Sequence, residues 1–87
     1  LSPSFLFFRE YDLGSGKKFY HVDVFRIESS KKGKDLGLQE LFENKNNIVV
    51  IEWAEKIKNL LPPRRIEVSF YYGEGKNQRK INIRKSS

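Results

Sequence analysis

A run of four apolar residues constrains the fold of this chain more than any other feature. Ile48-Val49-Val50-Ile51 is flanked by polar residues and ends at Glu52. Side chains alternate between the two faces of a strand, so a run that is apolar at every position is typical of a strand covered on both faces, as in parallel sheets. The run therefore predicts an α/β fold with the sheet between covering layers.

The remaining patterns predict two hairpins and two short helices. An aromatic segment from Phe5 to Tyr11 and a β-branched, aromatic segment from Lys18 to Arg26 flank the turn formers 12–16, which indicates a hairpin. Helical spacing of apolar residues predicts a helix that ends near Asn44 and another from about Ala54 to Leu60. Alternation around a Gly-Glu-Gly turn predicts a C-terminal hairpin. The first helix is predicted from Leu38, Leu41 and Phe42. The second is predicted from a core-facing stripe of Trp53, Ile57, Leu60 and Leu61, which Pro62-Pro63 terminates. The C-terminal hairpin is predicted from the alternating apolar residues Ile66, Val68, Phe70, Tyr72, Ile81 and Ile83.

Length and composition limit the class of protein. The chain has 87 residues, which predicts a single domain (1–87), a mixed β-sheet with flanking helices. No apolar run approaches the ~20 residues that span a bilayer. The absence of Cys excludes disulfides and cysteine-based zinc sites and favours a reducing, cytoplasmic compartment, and the single His excludes a multi-histidine metal site.

The start of the sequence is unusual. It contains no Met and begins with Leu1. Either Leu1 represents a non-standard initiator, or the chain is the downstream part of a longer protein. We favour the second interpretation.

Two predicted strands end in a carboxylate. Asp23 follows Tyr20-His21-Val22, and Glu52 follows Val49-Val50-Ile51. Ligands of open α/β sheets bind beyond the carboxyl ends of the strands, where an acidic residue can hold Mg²⁺ or orient a water towards a phosphate. We therefore expect Asp23 and Glu52 to meet at one rim; the alternative is that each is a solvated strand end.

Two other motifs do not support a site. Gly14-Ser15-Gly16-Lys17 lacks the earlier Gly and the following Ser or Thr of a phosphate-binding loop and lies in a hairpin turn, whereas such a loop opens a helix. Ser4 and His21 lack the signature of a hydrolytic triad. The alternative role for His21 is a half-buried strand residue that bonds a backbone carbonyl.

Basic charge is concentrated at the C-terminus. Residues 64–87 carry seven Lys and Arg against two acids, a net charge of +5. With Phe70, Tyr71 and Tyr72 interleaved, this hairpin is a candidate RNA-binding surface, which would make the protein a small basic RNA-binding module. The alternative is that these charges prevent edge-to-edge aggregation. A third possibility is a non-catalytic subunit that pairs through an exposed sheet edge.

Five segments in this order resemble the TsaE family, the P-loop ATPase of bacterial threonylcarbamoyladenosine tRNA modification. They cover residues 2–63: Ser2-Pro3-Ser4-Phe5, then residues 20–26 (YHVDVFR), Leu36-Gly37-Leu38 with Glu40 and Phe42, residues 51–55 (IEWAE), and Leu61-Pro62-Pro63. The resemblance implies a partial P-loop NTPase-like fold.

The resemblance also implies roles for individual residues. It assigns Mg²⁺ to Asp23, catalysis to Glu52, and nucleotide contacts to Trp53 and Ser4. The family usually has Ser-Pro-Thr-Phe-Thr at the first segment; Ser4 keeps a hydroxyl here, but Leu6 replaces the second Thr. Ala54 stands where proline is common.

The resemblance further implies ATP and Mg²⁺ as cofactors and TsaB and TsaD as partners, with tRNA reached through that complex. The family's N-terminal strand, phosphate-binding loop and helix have no counterpart in these 87 residues. Without the backbone amides and lysine of that loop, two carboxylates repel a nucleotide. We therefore expect this chain alone not to hydrolyse ATP.

Overall fold

The computed structural model describes residues 7–86, which form two β-sheets and a layer of short helices. In chain order the elements are β1 (Phe7–Gly14), β2 (Lys17–Asp23), α1 (Ser30–Asp35), α2 (Leu38–Glu43), β3 (Asn47–Glu52), a 3-10 segment (Ala54–Leu60), β4 (Arg65–Tyr72) and β5 (Arg79–Ser86).

The first sheet has the order β1-β2-β3 and is mixed. β1 pairs antiparallel with β2, and β2 pairs parallel with β3. The two helices α1 and α2 lie in the connection between the parallel strands, as a parallel crossover requires. The predicted α/β class with a mixed sheet and flanking helices is confirmed.

The first hairpin is confirmed, with shifted boundaries. Within the described residues β1 extends to Gly14, beyond the predicted end at Tyr11, and only Ser15 and Gly16 form the turn. β2 ends at Asp23 rather than Arg26, because the Asp23 Oδ1 accepts a hydrogen bond of 2.9 Å from the Phe25 backbone N–H and turns the chain. Phe5 and Leu6 lie outside the described residues.

The helical layer covers one face of the first sheet. The buried core consists of Tyr20, Val22, Val24, Ile27, Leu38 and Ile57, with Phe8, Val49 and Ile51 packed against it. On the opposite face Ile48 and Val50 are about half exposed, at 54% and 47%. The prediction that β3 is covered on both sides is therefore wrong for the described residues, because both helices and the 3-10 segment pack on the same side.

Helix α1 was not predicted, because its sequence, SKKGKD, has no apolar stripe. Its first turn is capped by Ser29, whose Oγ accepts a hydrogen bond from the Lys32 backbone N–H. Gly33 is its one buried residue and lets the helix approach the core. Helix α2 is the predicted helix and ends before Asn44. Among residues 7–86, no helix combines the length and the apolar character needed to cross a membrane.

The segment after β3 has the predicted bounds but a different form. Ala54–Leu60 is a kinked 3-10 segment in which Ile57 has φ −126°. Ile57 is fully buried, and Leu60 and Leu61 pack against the core. The segment ends at Leu60, two residues before Pro62, as predicted.

The C-terminal hairpin is confirmed as a separate antiparallel sheet of β4 and β5. Arg65 lies opposite Ser86, and Tyr72 lies opposite Arg79. None of its described residues belongs to the buried core. The hairpin therefore presents both faces at the surface of the described structure.

Candidate functional site

Asp23 and Glu52 lie side by side at the carboxyl ends of the parallel strands. They are register partners in the pairing of β2 with β3. Asp23 is half-buried and Glu52 is exposed, so neither carboxylate is sealed in the core. The prediction that these two residues lie together at one rim of the sheet is confirmed; this concerns their position only.

Backbone hydrogen bonds hold this rim in place. The Val24 N–H donates to the Glu52 carbonyl at 3.2 Å, and the Ile27 N–H donates to the Val24 carbonyl at 3.0 Å. Val24 and Ile27 are buried in the core. The loop that follows Asp23 is thus attached to the end of β3 and anchored by two apolar side chains.

His21 contacts the site through a carboxylate, not through the backbone carbonyl expected for a structural histidine. Its Nε2 lies 3.1 Å from the Oε2 of Glu52. His21 and Asp23 lie on one face of β2, and parallel pairing brings Glu52 to the same face. The alternation of β2 could have indicated this pair, but only with the register of β3 known.

Trp53 lies at the rim rather than in the core. Its backbone is left-handed, with φ 64°, which turns it out of the helical stripe predicted for it, so that placement was wrong. The Trp53 ring packs on Phe25 with centroids 4.8 Å apart, and the Lys56 Nζ lies 5.1 Å from the same Phe25 ring centre. The aromatic pair is attached to the rim through the chain, since Trp53 follows Glu52 and the Phe25 N–H donates to Asp23. Ser4 lies outside the described residues.

The carboxylate oxygens of Asp23 and Glu52 fit an Mg²⁺ ion that also binds a phosphate, rather than a metal ion coordinated by protein ligands alone. Among residues 7–86, no group of three or more His, Cys, Asp or Glu could hold a metal ion. Mg²⁺ commonly takes one or two carboxylates and completes its shell with water and substrate phosphates. Asp23 uses Oδ1 for the Phe25 N–H and has a second oxygen for a cation, while Glu52 shares Oε2 with His21.

The turn at Gly14-Ser15-Gly16 is not a phosphate-binding loop. It connects two antiparallel strands, and the Asp12 Oδ1 accepts a hydrogen bond of 2.8 Å from the Gly14 N–H. No helix begins there, so its backbone amides are not gathered at a helix N-terminus.

Glu67 forms hydrogen bonds with two of the arginines of the C-terminal hairpin. Arg84 Nη2 donates to both Glu67 oxygens at 2.8 and 3.0 Å, and Arg65 Nε donates to the Oε2 at 3.2 Å. The Arg84 hydrogen bond is the largest cause that holds the pKa of Glu67 below its ordinary value. Two of the bases counted in the sequence therefore already have a partner.

Acid is expected to loosen this hairpin. Because the folded state lowers the pKa of Glu67, the contribution of Glu67 is complete above the ordinary carboxyl pKa of about 4.3 and is lost as pH falls through the lower folded value. Amide hydrogen exchange of β4 and β5, followed from pH 6 to pH 3, measures the effect. The Glu67→Gln variant should lack this pH dependence; an unchanged dependence would contradict the assignment to Glu67.

Comparison with known proteins identifies the family. The sequence profile of the threonylcarbamoyl adenosine biosynthesis protein TsaE matches residues 1–81. The chain belongs to the TsaE family. The resemblance that five sequence segments indicated is thereby confirmed.

Two TsaE relatives illustrate the extent of the match. The tRNA threonylcarbamoyladenosine biosynthesis protein TsaE of Haemophilus influenzae is 34% identical over 77 residues, which cover 87% of this chain and 48% of the relative. The protein of the same name from Rickettsia typhi is 34% identical over 87 residues, 100% of this chain and 58% of the relative. The chain thus spans about half the length of the curated TsaE relatives it matches.

Proposed function

We propose that this chain contributes the metal-facing side of the nucleotide site in a TsaE-type ATPase that serves tRNA threonylcarbamoyladenosine biosynthesis. The observation that carries the proposal is the pairing of Asp23 with Glu52 at the carboxyl ends of adjacent parallel strands. In open α/β sheets this edge is where ligands bind. ATP with Mg²⁺ is the proposed chemistry, as the resemblance of the sequence segments to the TsaE family implies.

Each residue at the rim has a role in this proposal. Asp23 would hold Mg²⁺, which when bound neutralises phosphate oxygens. Glu52 would orient the attacking water, and its Oε2 lies 3.1 Å from the His21 Nε2. Trp53, half exposed beside Phe25, would contact the nucleotide, and Ser4 would contact it from the N-terminal segment.

In this proposal the phosphate-binding loop would be supplied by residues that are not among these 87. No Gly-Lys-Ser or Gly-Lys-Thr occurs in the 87 residues, although a P-loop NTPase-like fold needs one. Lys56 lies in the first turn of the short 3-10 segment and contacts the Phe25 ring, and no glycine-rich loop precedes it. TsaB and TsaD are the proposed partners, and hydrolysis would drive the cycle of their complex on tRNA.

Binding of Mn²⁺, measured by the electron paramagnetic resonance signal of the free ion, tests the metal role of Asp23. Asp23→Asn is expected to weaken Mn²⁺ binding at least about 10-fold, because it removes a ligand charge. Asp12→Asn is a matched control: Asp12 Oδ1 also accepts a backbone hydrogen bond from the residue two positions on, at 2.8 Å, but at the far end of the sheet. Asparagine keeps the accepting oxygen in both variants.

Equal Mn²⁺ binding by the two variants would contradict the metal assignment. The chain alone is also expected to hydrolyse Mg·ATP no faster than a protein-free control. Hydrolysis that depends on Asp23 in the isolated chain would show that no separate phosphate-binding loop is needed.

A further inference from the structure

One face of the C-terminal hairpin carries aromatic and aliphatic side chains that are exposed to solvent. Paired residues share a face, so the register separates Phe70 and Tyr72 from Tyr71. Tyr72 is 87% exposed and Phe70 is 68% exposed. We call this surface the aromatic face; it consists of Ile66, Val68, Phe70 and Tyr72 on β4 and of Arg79, Ile81, Ile83 and Lys85 on β5.

The tip of the aromatic face is built by hydrogen bonds. The Gly73 N–H donates to the Gln78 carbonyl at 3.0 Å, and the Gly75 N–H donates to the Gln78 Oε1 at 3.0 Å. The Arg79 guanidinium lies over the Tyr72 ring, 5.0 Å from its centre. These contacts border an open hollow of about 590 Å³, lined by Tyr72, Gly73, Glu74, Gln78, Arg79 and Lys80.

The charge of the tip is positive. Arg65 and Arg84 lie towards the base of the hairpin and engage Glu67. The tip, residues 72–80, carries three bases, Lys76, Arg79 and Lys80, against Glu74, a net charge of +2. The hollow is therefore bordered by an aromatic ring and by cations that complement a polyanion.

We propose that this tip binds single-stranded RNA. Phe70 and Tyr72 are two residues apart on one strand, roughly 6.6 Å along it, and can each stack a base. Sheet surfaces with exposed aromatic residues bind unpaired RNA in this way in other folds. Arg79, which lies on the same face as Tyr72, can neutralise an adjacent phosphate. A second copy of the chain is the less favoured occupant, because two hairpins of net charge +5 repel each other.

Fluorescence anisotropy of a labelled 12-nucleotide uridine RNA tests the proposal. Tyr72→Ala is expected to raise Kd at least about 5-fold, the lower end for one stacked base. Tyr71→Ala is the matched control, since Tyr71 is the neighbouring residue, is half exposed and points to the other face; its Kd should change less than about 2-fold. Tyr72→Leu keeps an apolar side chain, separates loss of stacking from loss of folding, and should also weaken binding.

Three results would overturn the proposal: equal losses for Tyr71→Ala and Tyr72→Ala, no RNA binding by the unmodified chain, or sedimentation showing a dimer that depends on Tyr72. Asp23→Asn should leave RNA binding unchanged. Failure of RNA binding therefore does not affect the nucleotide-site proposal, and failure of Mn²⁺ binding does not affect this one.

Discussion

Replacing Ile57 by alanine is expected to lower the free energy of unfolding by about 2–5 kcal/mol. The Ile57 side chain is 0% exposed and belongs to the core cluster with Val22 and Leu38. Truncation removes apolar contacts and leaves a cavity that the short 3-10 segment cannot fill. Single domains unfold with about 5–15 kcal/mol, so this loss is a large share of the total.

Urea unfolding followed by fluorescence measures the effect, because Trp53 is the sole tryptophan and packs on Phe25. The control is Ile83→Ala, which removes the same atoms from a side chain that is 73% exposed. That variant is expected to change the unfolding free energy by about 0.5 kcal/mol or less. Similar losses for the two variants would show that Ile57 is not the centre of the core.

Gly33→Val is expected to lower the unfolding free energy by about 1–3 kcal/mol through overpacking. A Cβ added at Gly33 would lie 2.9 Å from the Leu60 Cδ1 and 3.2 Å from the Leu38 Cδ1. Valine adds two further carbons to that crowded point. Helix α1, or the Leu60 and Leu38 side chains that it packs against, would have to shift.

The control for Gly33→Val is Lys34→Val, on the exposed side of the same helix. It carries the penalty of a β-branched residue in a helix, about 0.5 kcal/mol, without the clash. The same urea experiment compares the two variants. If Gly33→Val lowers the unfolding free energy no more than Lys34→Val does, the Leu60 and Leu38 side chains can move aside without loss of stability.

The sequence predicted the elements whose pattern is local. The alternation in β4 and β5, the apolar run that became β3 and the spacing of Leu38, Leu41 and Phe42 each indicated the right element, because side-chain period follows from backbone geometry. Helix α1 was missed because a capping serine and one buried glycine hold it, and neither produces a periodic signal.

Part of the candidate site was also predictable. Asp23 and Glu52 each end an apolar strand, and the carboxyl ends of parallel strands lie at one edge, so their meeting follows from the pattern once the strands are parallel. The His21 contact with Glu52 required the register. The position of Trp53 at the rim depends on its left-handed backbone conformation, which the neighbouring residues in the sequence do not predict.

The sequence by itself determined both hairpins, strand β3, helix α2 and the family that the chain resembles, because these depend on short-range periodicity and on residue order. Only the tertiary structure decided that the helices cover one face of the first sheet, that His21 contacts Glu52, and that the described residues of the C-terminal hairpin lie outside the buried core. These depend on packing and register between segments distant in the chain, which local patterns do not specify.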